Sequence, residues 1–140
     1  MVSEPADVPW SRLRAAAREA SSRAYAPYSR VRVGAAGLTV EGDIVVGSNV
    51  ENASYGLTLC AECSLVSDLV RRGGGRLLAL AVVAGDGEPL APCGRCRQVL
   101  YEHAGPTLEI DQGEGRASRR LGELLPDAFG PDDLPSRSTP

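Results

Sequence analysis

A chain of 140 residues, 43% of them apolar, is long enough to fold as one domain around a buried core. Its formal net charge of −3 excludes a strongly basic protein, so we expect no nucleic-acid partner. The longest apolar run, at 77–84, is far shorter than a membrane span, and residues 1–10 show no secretory signal. These features predict a cytoplasmic protein that does not bind a membrane.

The first part of the chain predicts a helix followed by a hairpin. Asp7 can cap a helix that carries Pro9 in its first turn. Apolar residues then recur at steps of three and four, which is typical of one helix face: Trp10, Leu13, Ala17, Ala20 and Ala24. Residues 31–40 and 44–50 predict two antiparallel strands, joined by the turn at 41–43.

The middle of the chain predicts two more helices and two more strands. A helix at about 58–72 ends at three consecutive glycines, and the apolar run 77–84 predicts a strand buried on both faces. Pro92 opens a third helix, which the Gly-Pro pair at 105–106 closes. A short strand is expected at 107–110.

The last part of the chain carries weaker signals. Residues 111–119 predict a polar, mobile segment, 121–129 carry a last apolar cluster, and 135–140 predict a flexible tail. The order helix, hairpin, helix, strand, helix, strand predicts a single α/β domain over 1–134. We expect a three-layer α/β/α sandwich around a mixed sheet of about five strands.

Four cysteines fall in two pairs, each with two residues between its members: Cys60 and Cys63, then Cys93 and Cys96. In a reducing compartment such spacing favours a metal site over disulfides. Each pair lies at a predicted helix start. The partial positive charge and free N–H groups of a helix N-terminus stabilise thiolates.

The cysteine spacing alone leaves two interpretations open. All four thiols could close a structural zinc site, or three could hold a catalytic zinc whose fourth position takes water. Glu62, two residues after Cys60, favours the catalytic site. A structural site gains nothing from this carboxylate, whereas a hydrolytic site needs a group that takes a proton from water.

The segments around the cysteines match a known pattern. Cys-Ala-Glu at 60–62 with Pro-Cys-Gly-Arg-Cys at 92–96 is the pattern of zinc-dependent deaminases, in which a glutamate that is not a ligand moves protons. Further motifs are Ala-Tyr-Ala-Pro-Tyr-Ser at 24–29, Val-Gly-Ala-Ala at 33–36, Asn-Val-Glu-Asn-Ala-Ser-Tyr-Gly at 49–56 and Leu-Leu-Pro-Asp-Ala-Phe-Gly-Pro at 124–131. From about residue 10 to 134, the chain resembles the small homotetrameric zinc-dependent cytidine deaminases.

This resemblance implies a metal and a reaction. One Zn²⁺ per chain would be held by Cys60, Cys93 and Cys96, with Glu62 as the catalytic acid and base. The reaction would be the hydrolytic deamination of cytidine or 2′-deoxycytidine to uridine or 2′-deoxyuridine and ammonia, a step of pyrimidine salvage.

The resemblance also implies how the nucleoside is held. Asn49 and Glu51 would hydrogen-bond the ribose hydroxyls, and the Ala61 backbone N–H would donate to the pyrimidine carbonyl. Tyr55 and Phe129 would reach into the pocket of a neighbouring subunit in a homotetramer.

Two positions depart from the common pattern of that family. Val31 stands where many members carry an aromatic residue that stacks on the pyrimidine. Cys63 stands where many carry an arginine that hydrogen-bonds the thiolates. We predict that Cys63 is a neutral thiol beside the metal and not a ligand, with Arg95 or Arg97 offsetting the thiolate charge.

Three alternatives stay open. Val31 leaves room for a sister deaminase that acts on a modified cytosine nucleoside or a nucleoside antibiotic. A non-enzymatic Cys₄ zinc module is the alternative of a different class. An enzyme that edits cytosine within a nucleic acid is disfavoured by the acidic charge and by the expected ribose contacts.

Overall fold

The computed structural model describes residues 8–134, so the predicted cap at Asp7 and tail at 135–140 lie outside the described residues. Four α-helices are present in this part of the chain: α1 Trp10–Ser21, α2 Ala61–Arg71, α3 Gly94–Ala104 and α4 Leu121–Leu124. Five strands accompany them: β1 Val33–Thr39, β2 Ile44–Ser48, β3 Leu77–Ala84, β4 Glu109–Ile110 and β5 Arg119–Arg120.

The five strands form one mixed sheet in the order β2-β1-β3-β4-β5. The predicted hairpin is confirmed, since β1 pairs antiparallel with β2 and Ala36 lies opposite Val46. Strand β3 pairs antiparallel with β1 and parallel with β4. The mixed five-stranded sheet therefore agrees with the sequence-based expectation.

Helices cover both faces of this sheet. Helix α1 packs through Leu13 and Ala17 on one face, against Ala36 and its neighbours in the strands. Helices α2 and α3 pack on the other face, where Leu65 belongs to the same buried cluster as Ala35. Consecutive strand residues point to opposite faces, so the two apolar layers alternate along β1 and the three-layer arrangement is confirmed.

Two glycines bring the helices unusually close to the sheet. A Cβ at Gly34 in β1 would lie 1.8 Å from the carbonyl oxygen of Ala17, and one at Gly47 in β2 would lie 2.2 Å from that of Ala61. Only glycine permits such an approach of one backbone to another. Gly47 thereby allows the first turn of α2 to lie directly against β2.

Several boundaries differ from those expected. Helix α1 ends at Ser21, three residues before Ala24, although Ala24 is still buried. Helices α2 and α3 begin at Ala61 and Gly94, later than predicted, because the preceding cysteines have extended backbone and act as N-cap residues. The strand β5 was missed, since two consecutive arginines carry no apolar alternation.

Candidate active site and metal centre

Two helix N-termini meet at the cysteines. Cys60 is the N-cap residue of α2 and Cys93 that of α3, and their Sγ atoms lie 3.9 Å apart. Cys96 follows in the first turn of α3 and is buried. The three Sγ atoms all lie within 4.8 Å of one another. Tetrahedral zinc with Zn–S bonds of about 2.3 Å places its sulfur ligands roughly 3.8 Å apart, so these three thiols can share one ion.

The chemistry of the three thiols also fits zinc. Burial raises the pKa of the Cys60 thiol and of the Cys96 thiol. A bound cation would therefore be what holds these groups as thiolates. Soft sulfur ligands in tetrahedral geometry select zinc over magnesium or calcium.

Cys63 lies beside this cluster. Its Sγ is 4.0 Å from that of Cys96, but it is not among the three sulfur atoms that are mutually within 4.8 Å. Cys63 is half-buried on α2, one turn beyond Cys60. Because Cys63 is not part of the cluster of three mutually close sulfur atoms, the geometry supports the prediction that it is not a ligand.

Glu62 lies in the first turn of α2 and is only 4% exposed. Burial raises the pKa of its carboxyl above the ordinary value. The side chain lines a small cavity of about 160 Å³ together with Cys60 and Cys93. A buried carboxyl with a raised pKa, next to a metal site, is suited to taking up and returning protons near neutral pH.

The rest of that cavity is apolar and was not predicted from the sequence. Its wall is formed by Val33 of β1, Val82 of β3, and Leu90 and Ala91 of the loop before α3. The alternation of β1 could have indicated Val33, since it points to the same face as Ala35. No local signal identifies Leu90 or Ala91, whose position depends on the path of a loop.

Asn49 and Glu51 brace the segment that precedes β1. Asn49 is buried, where its Oδ1 accepts the Val33 N–H at 2.8 Å and its Nδ2 donates to the Val31 carbonyl at 2.9 Å. One Oε atom of Glu51 accepts two backbone N–H groups, and the Ser29 hydroxyl donates to the other. The hydrogen bond from Ser29 lowers the pKa of Glu51 below its usual range.

Of the six expected substrate contacts, Ala61 alone lines the Glu62 cavity within a single chain. Glu51 and Tyr55 line a different concavity, together with Tyr28, Ser29 and Thr58. Val31 is 52% exposed and lines a separate concavity with its neighbouring arginines and residues 84–86. Tyr55 and Phe129 are 74% and 58% exposed. By contrast, Cys60, Ala61, Glu62 and Cys93 line this cavity together.

Comparison with known proteins identifies the family to which this fold and site belong. Residues 10–108 match the family described as the cytidine and deoxycytidylate deaminase zinc-binding region. The cytidine deaminase of Mycobacterium tuberculosis is 62% identical over 129 residues, which cover 92% of this chain and 96% of that protein. The cytidine deaminase of Halalkalibacterium halodurans is 41% identical, covering 83% of this chain and 90% of its own.

Solved structures agree with these relatives. The crystal structure of Mycobacterium tuberculosis cytidine deaminase matches with a TM-score of 0.85 at 61% identity, covering 89% of this chain and 99% of that one. The crystal structure of Burkholderia pseudomallei cytidine deaminase matches with a TM-score of 0.78 at 44% identity, covering 87% and 100% of the two chains. The fold and the thiol cluster thus define a zinc-binding deaminase domain. The chain belongs to the cytidine and deoxycytidylate deaminase family.

Proposed function

We propose that this chain hydrolyses the C4 amino group of cytidine and 2′-deoxycytidine, giving uridine or 2′-deoxyuridine and ammonia. The observation that carries the proposal is the buried Glu62 carboxyl, which shares one small cavity with Cys60 and Cys93. Relatives named cytidine deaminase, similar over nearly the whole chain, support the same reaction.

Cys60, Cys93 and Cys96 would hold the zinc ion, which supplies Lewis acidity that makes water reactive at neutral pH. Glu62 takes the proton of that water and delivers it to N3 of the pyrimidine ring. As this proton moves to N3, the water oxygen bonds to C4. Glu62 then takes the remaining proton from the new C4 hydroxyl and gives it to the amino nitrogen, so that the C4–N bond breaks, ammonia leaves and C4 becomes a carbonyl. Burial raises the pKa of Glu62, which suits a group that must both accept and return protons.

The walls of the cavity suit a pyrimidine. The aliphatic side chains of Val33, Val82 and Leu90 would flank the ring and exclude water from it. Ala61 is the first residue of α2, where backbone N–H groups have no acceptor within the helix. Its N–H can donate to the C2 carbonyl of the base.

Asn49 and Glu51 would bind the ribose. Each retains hydrogen-bonding capacity beyond its present partners, because the Asn49 amide has a second N–H and the Glu51 carboxylate has further lone pairs. Such a pair rejects a free base, which would leave these polar groups unpaired. A larger, modified nucleoside is the second candidate substrate, because Val31 is exposed and leaves space at the position where an aromatic was expected.

The active form would be a homotetramer. A run of large apolar side chains is exposed in the chain between α1 and α2: Tyr25, Tyr28, Val31, Val50, Tyr55, Leu57 and Leu59. Some of them lie together, since the rings of Tyr28 and Tyr55 are 5.8 Å apart and Val50 forms bridges with Tyr25 and Leu59. Large exposed apolar groups that lie together mark an interaction site. Tyr55 and Phe129 would then complete the pockets of neighbouring subunits, and light scattering that finds a fully active monomer would contradict this.

We place the reaction in pyrimidine salvage in the cytoplasm. All four cysteines are free thiols, as expected in a reducing compartment. Within residues 8–134, none of the helices has the length and apolar character needed to cross a membrane.

A substrate panel on one zinc-analysed sample tests the proposal. We expect turnover of cytidine and 2′-deoxycytidine, measured by the ultraviolet absorbance change, and none of free cytosine. Faster turnover of bulkier analogues would favour the modified-nucleoside candidate. A zinc-loaded protein that is inert toward every cytosine nucleoside would instead be a structural zinc module.

A further inference from the structure

Arg95 occupies an unusual place for a cation. It lies in the first turn of α3, between Cys93 and Cys96, where the helix dipole disfavours positive charge. Its side chain is directed back across the cluster, with Nη2 4.0 Å from the Sγ of Cys60 and 3.8 Å from the Sγ of Cys63. The thiols are thus the partners that compensate this unfavourable position.

The same guanidinium also joins the two segments that carry the thiols. Its Nη2 donates to the carbonyl oxygen of Thr58 at 3.0 Å, two residues before Cys60. One side chain from the start of α3 is therefore anchored to the chain that enters α2. It thereby links the two helix N-termini and places a positive charge beside the thiols.

With zinc bound, the cluster of three thiolates would have a net negative charge that a nearby cation can offset. Three thiolates on one Zn²⁺ leave a formal charge of −1, and the Glu62 carboxyl lies beside it. Within residues 8–134, Arg95 is the one arginine whose guanidinium is hydrogen-bonded to a thiol. Arg97 instead donates to the carbonyls of Pro92 and Leu124, so it fixes the loop and α4.

We propose that Arg95 is a positioning residue for zinc, which offsets the thiolate charge and ties the start of α3 to the segment before α2. The small side chain of Cys63 leaves the space that the guanidinium occupies, since the two groups are in contact at 3.8 Å. Because the Arg95 guanidinium contacts Cys63, we expect positions 63 and 95 to be coupled, so that an arginine at 63 can supply the cation in place of Arg95. This inference rests on the zinc site and not on the identity of the nucleoside.

The test measures zinc affinity by competition with a chromophoric chelator, without any turnover assay. Arg95→Gln should weaken zinc binding roughly 10- to 100-fold, the usual effect of losing a group that supports metal ligands. Arg95→Lys keeps the charge and should lie between Arg95→Gln and the wild type. Arg23→Gln removes the same charge from an exposed site just after α1 and should leave zinc affinity unchanged.

Adding Cys63→Arg to Arg95→Gln tests whether an arginine at position 63 can replace Arg95. The double variant, compared with the single variant at equal folded fraction by circular dichroism, should recover most of the lost affinity. An Arg95→Gln protein that binds zinc like the wild type would overturn the proposal, as would Arg95→Lys binding as weakly as Arg95→Gln. A folded double variant without recovery would contradict the coupling. All of these outcomes are measured by zinc binding and not by deamination. A result that overturns the role of Arg95 therefore does not by itself contradict the proposed reaction.

Discussion

Gly47 allows the substitution with the sharpest structural consequence for the metal site. A Cβ added there would lie 2.2 Å from the carbonyl oxygen of Ala61 and 2.3 Å from the backbone nitrogen of Leu65. Ordinary van der Waals contact begins at 3.4 Å, so β2 and the first turn of α2 must separate by about 1.2 Å in Gly47→Ala. Cys60 and Glu62 lie at that turn, whereas the other two proposed zinc ligands lie at the start of α3 and would stay in place.

The expected effects follow from that displacement. Overpacking of this kind lowers the free energy of unfolding by about 1–3 kcal/mol. A displacement of about 1 Å at a catalytic group lowers kcat/KM on the order of 100-fold. Zinc affinity should fall as well, because Cys60 moves relative to Cys93 and Cys96. Urea denaturation, chelator competition and the cytidine assay measure the three effects.

Gly34 supplies the matched control. A Cβ there would meet the Ala17 carbonyl oxygen of α1 at 1.8 Å, an even closer clash, but α1 lies on the opposite face of the sheet and carries no ligand. Gly34→Ala should therefore lose stability while the folded fraction keeps its zinc affinity. Equal loss of zinc affinity in both variants, or none in Gly47→Ala, would refute the idea that β2 positions the ligand-bearing turn.

Three further variants test individual side chains. Cys63→Ser should retain about one zinc per chain and a sizeable share of activity. Serine at Cys60, Cys93 or Cys96 should instead release the metal. Zinc loss from Cys63→Ser would indicate a closed Cys₄ site. Ser29→Ala removes the hydrogen bond that holds the pKa of Glu51 low. The lowered pKa keeps the Glu51 carboxylate charged to lower pH in the wild type. As the buffer is acidified, KM for cytidine should therefore begin to rise at a higher pH in Ser29→Ala than in the wild type. Identical KM profiles would contradict the ribose role of Glu51. Val31→Phe should tighten cytidine binding, and unchanged or weaker binding would argue for a bulkier substrate.

The features predicted from the sequence are those that local patterns encode. The spacing of the cysteine pairs, with Pro92 before the second pair, placed both pairs at helix starts, and Cys60 and Cys93 are indeed N-cap residues. Alternation and turn residues gave the hairpin of β1 and β2. Both signals depend on residues only a few positions apart, so they can be recognised without knowledge of the fold.

The features that were missed depend on distant parts of the chain. Strand β5 exists because Arg119 and Arg120 pair with β4, which no local pattern in that segment reveals. Leu90 joins the active-site wall through the hydrogen bond of its backbone N–H to the Val82 carbonyl. Tyr55 is a further case: it lies outside the Glu62 cavity, with its ring 5.8 Å from that of Tyr28. The contact proposed for it is with another subunit, which no pattern within one chain reveals.

The central claim is that Glu62 moves the protons of the reaction at a zinc site that does not need it as a ligand. Glu62→Gln preserves the size of this buried side chain and removes only its acid–base chemistry. We expect metal analysis to find about one zinc per chain in this variant, and turnover of cytidine to fall by roughly 10²–10⁴-fold. Glu102→Gln, at an exposed position on α3, should match the wild type in both measurements. Turnover near the wild-type rate in a zinc-loaded Glu62→Gln protein would contradict the account.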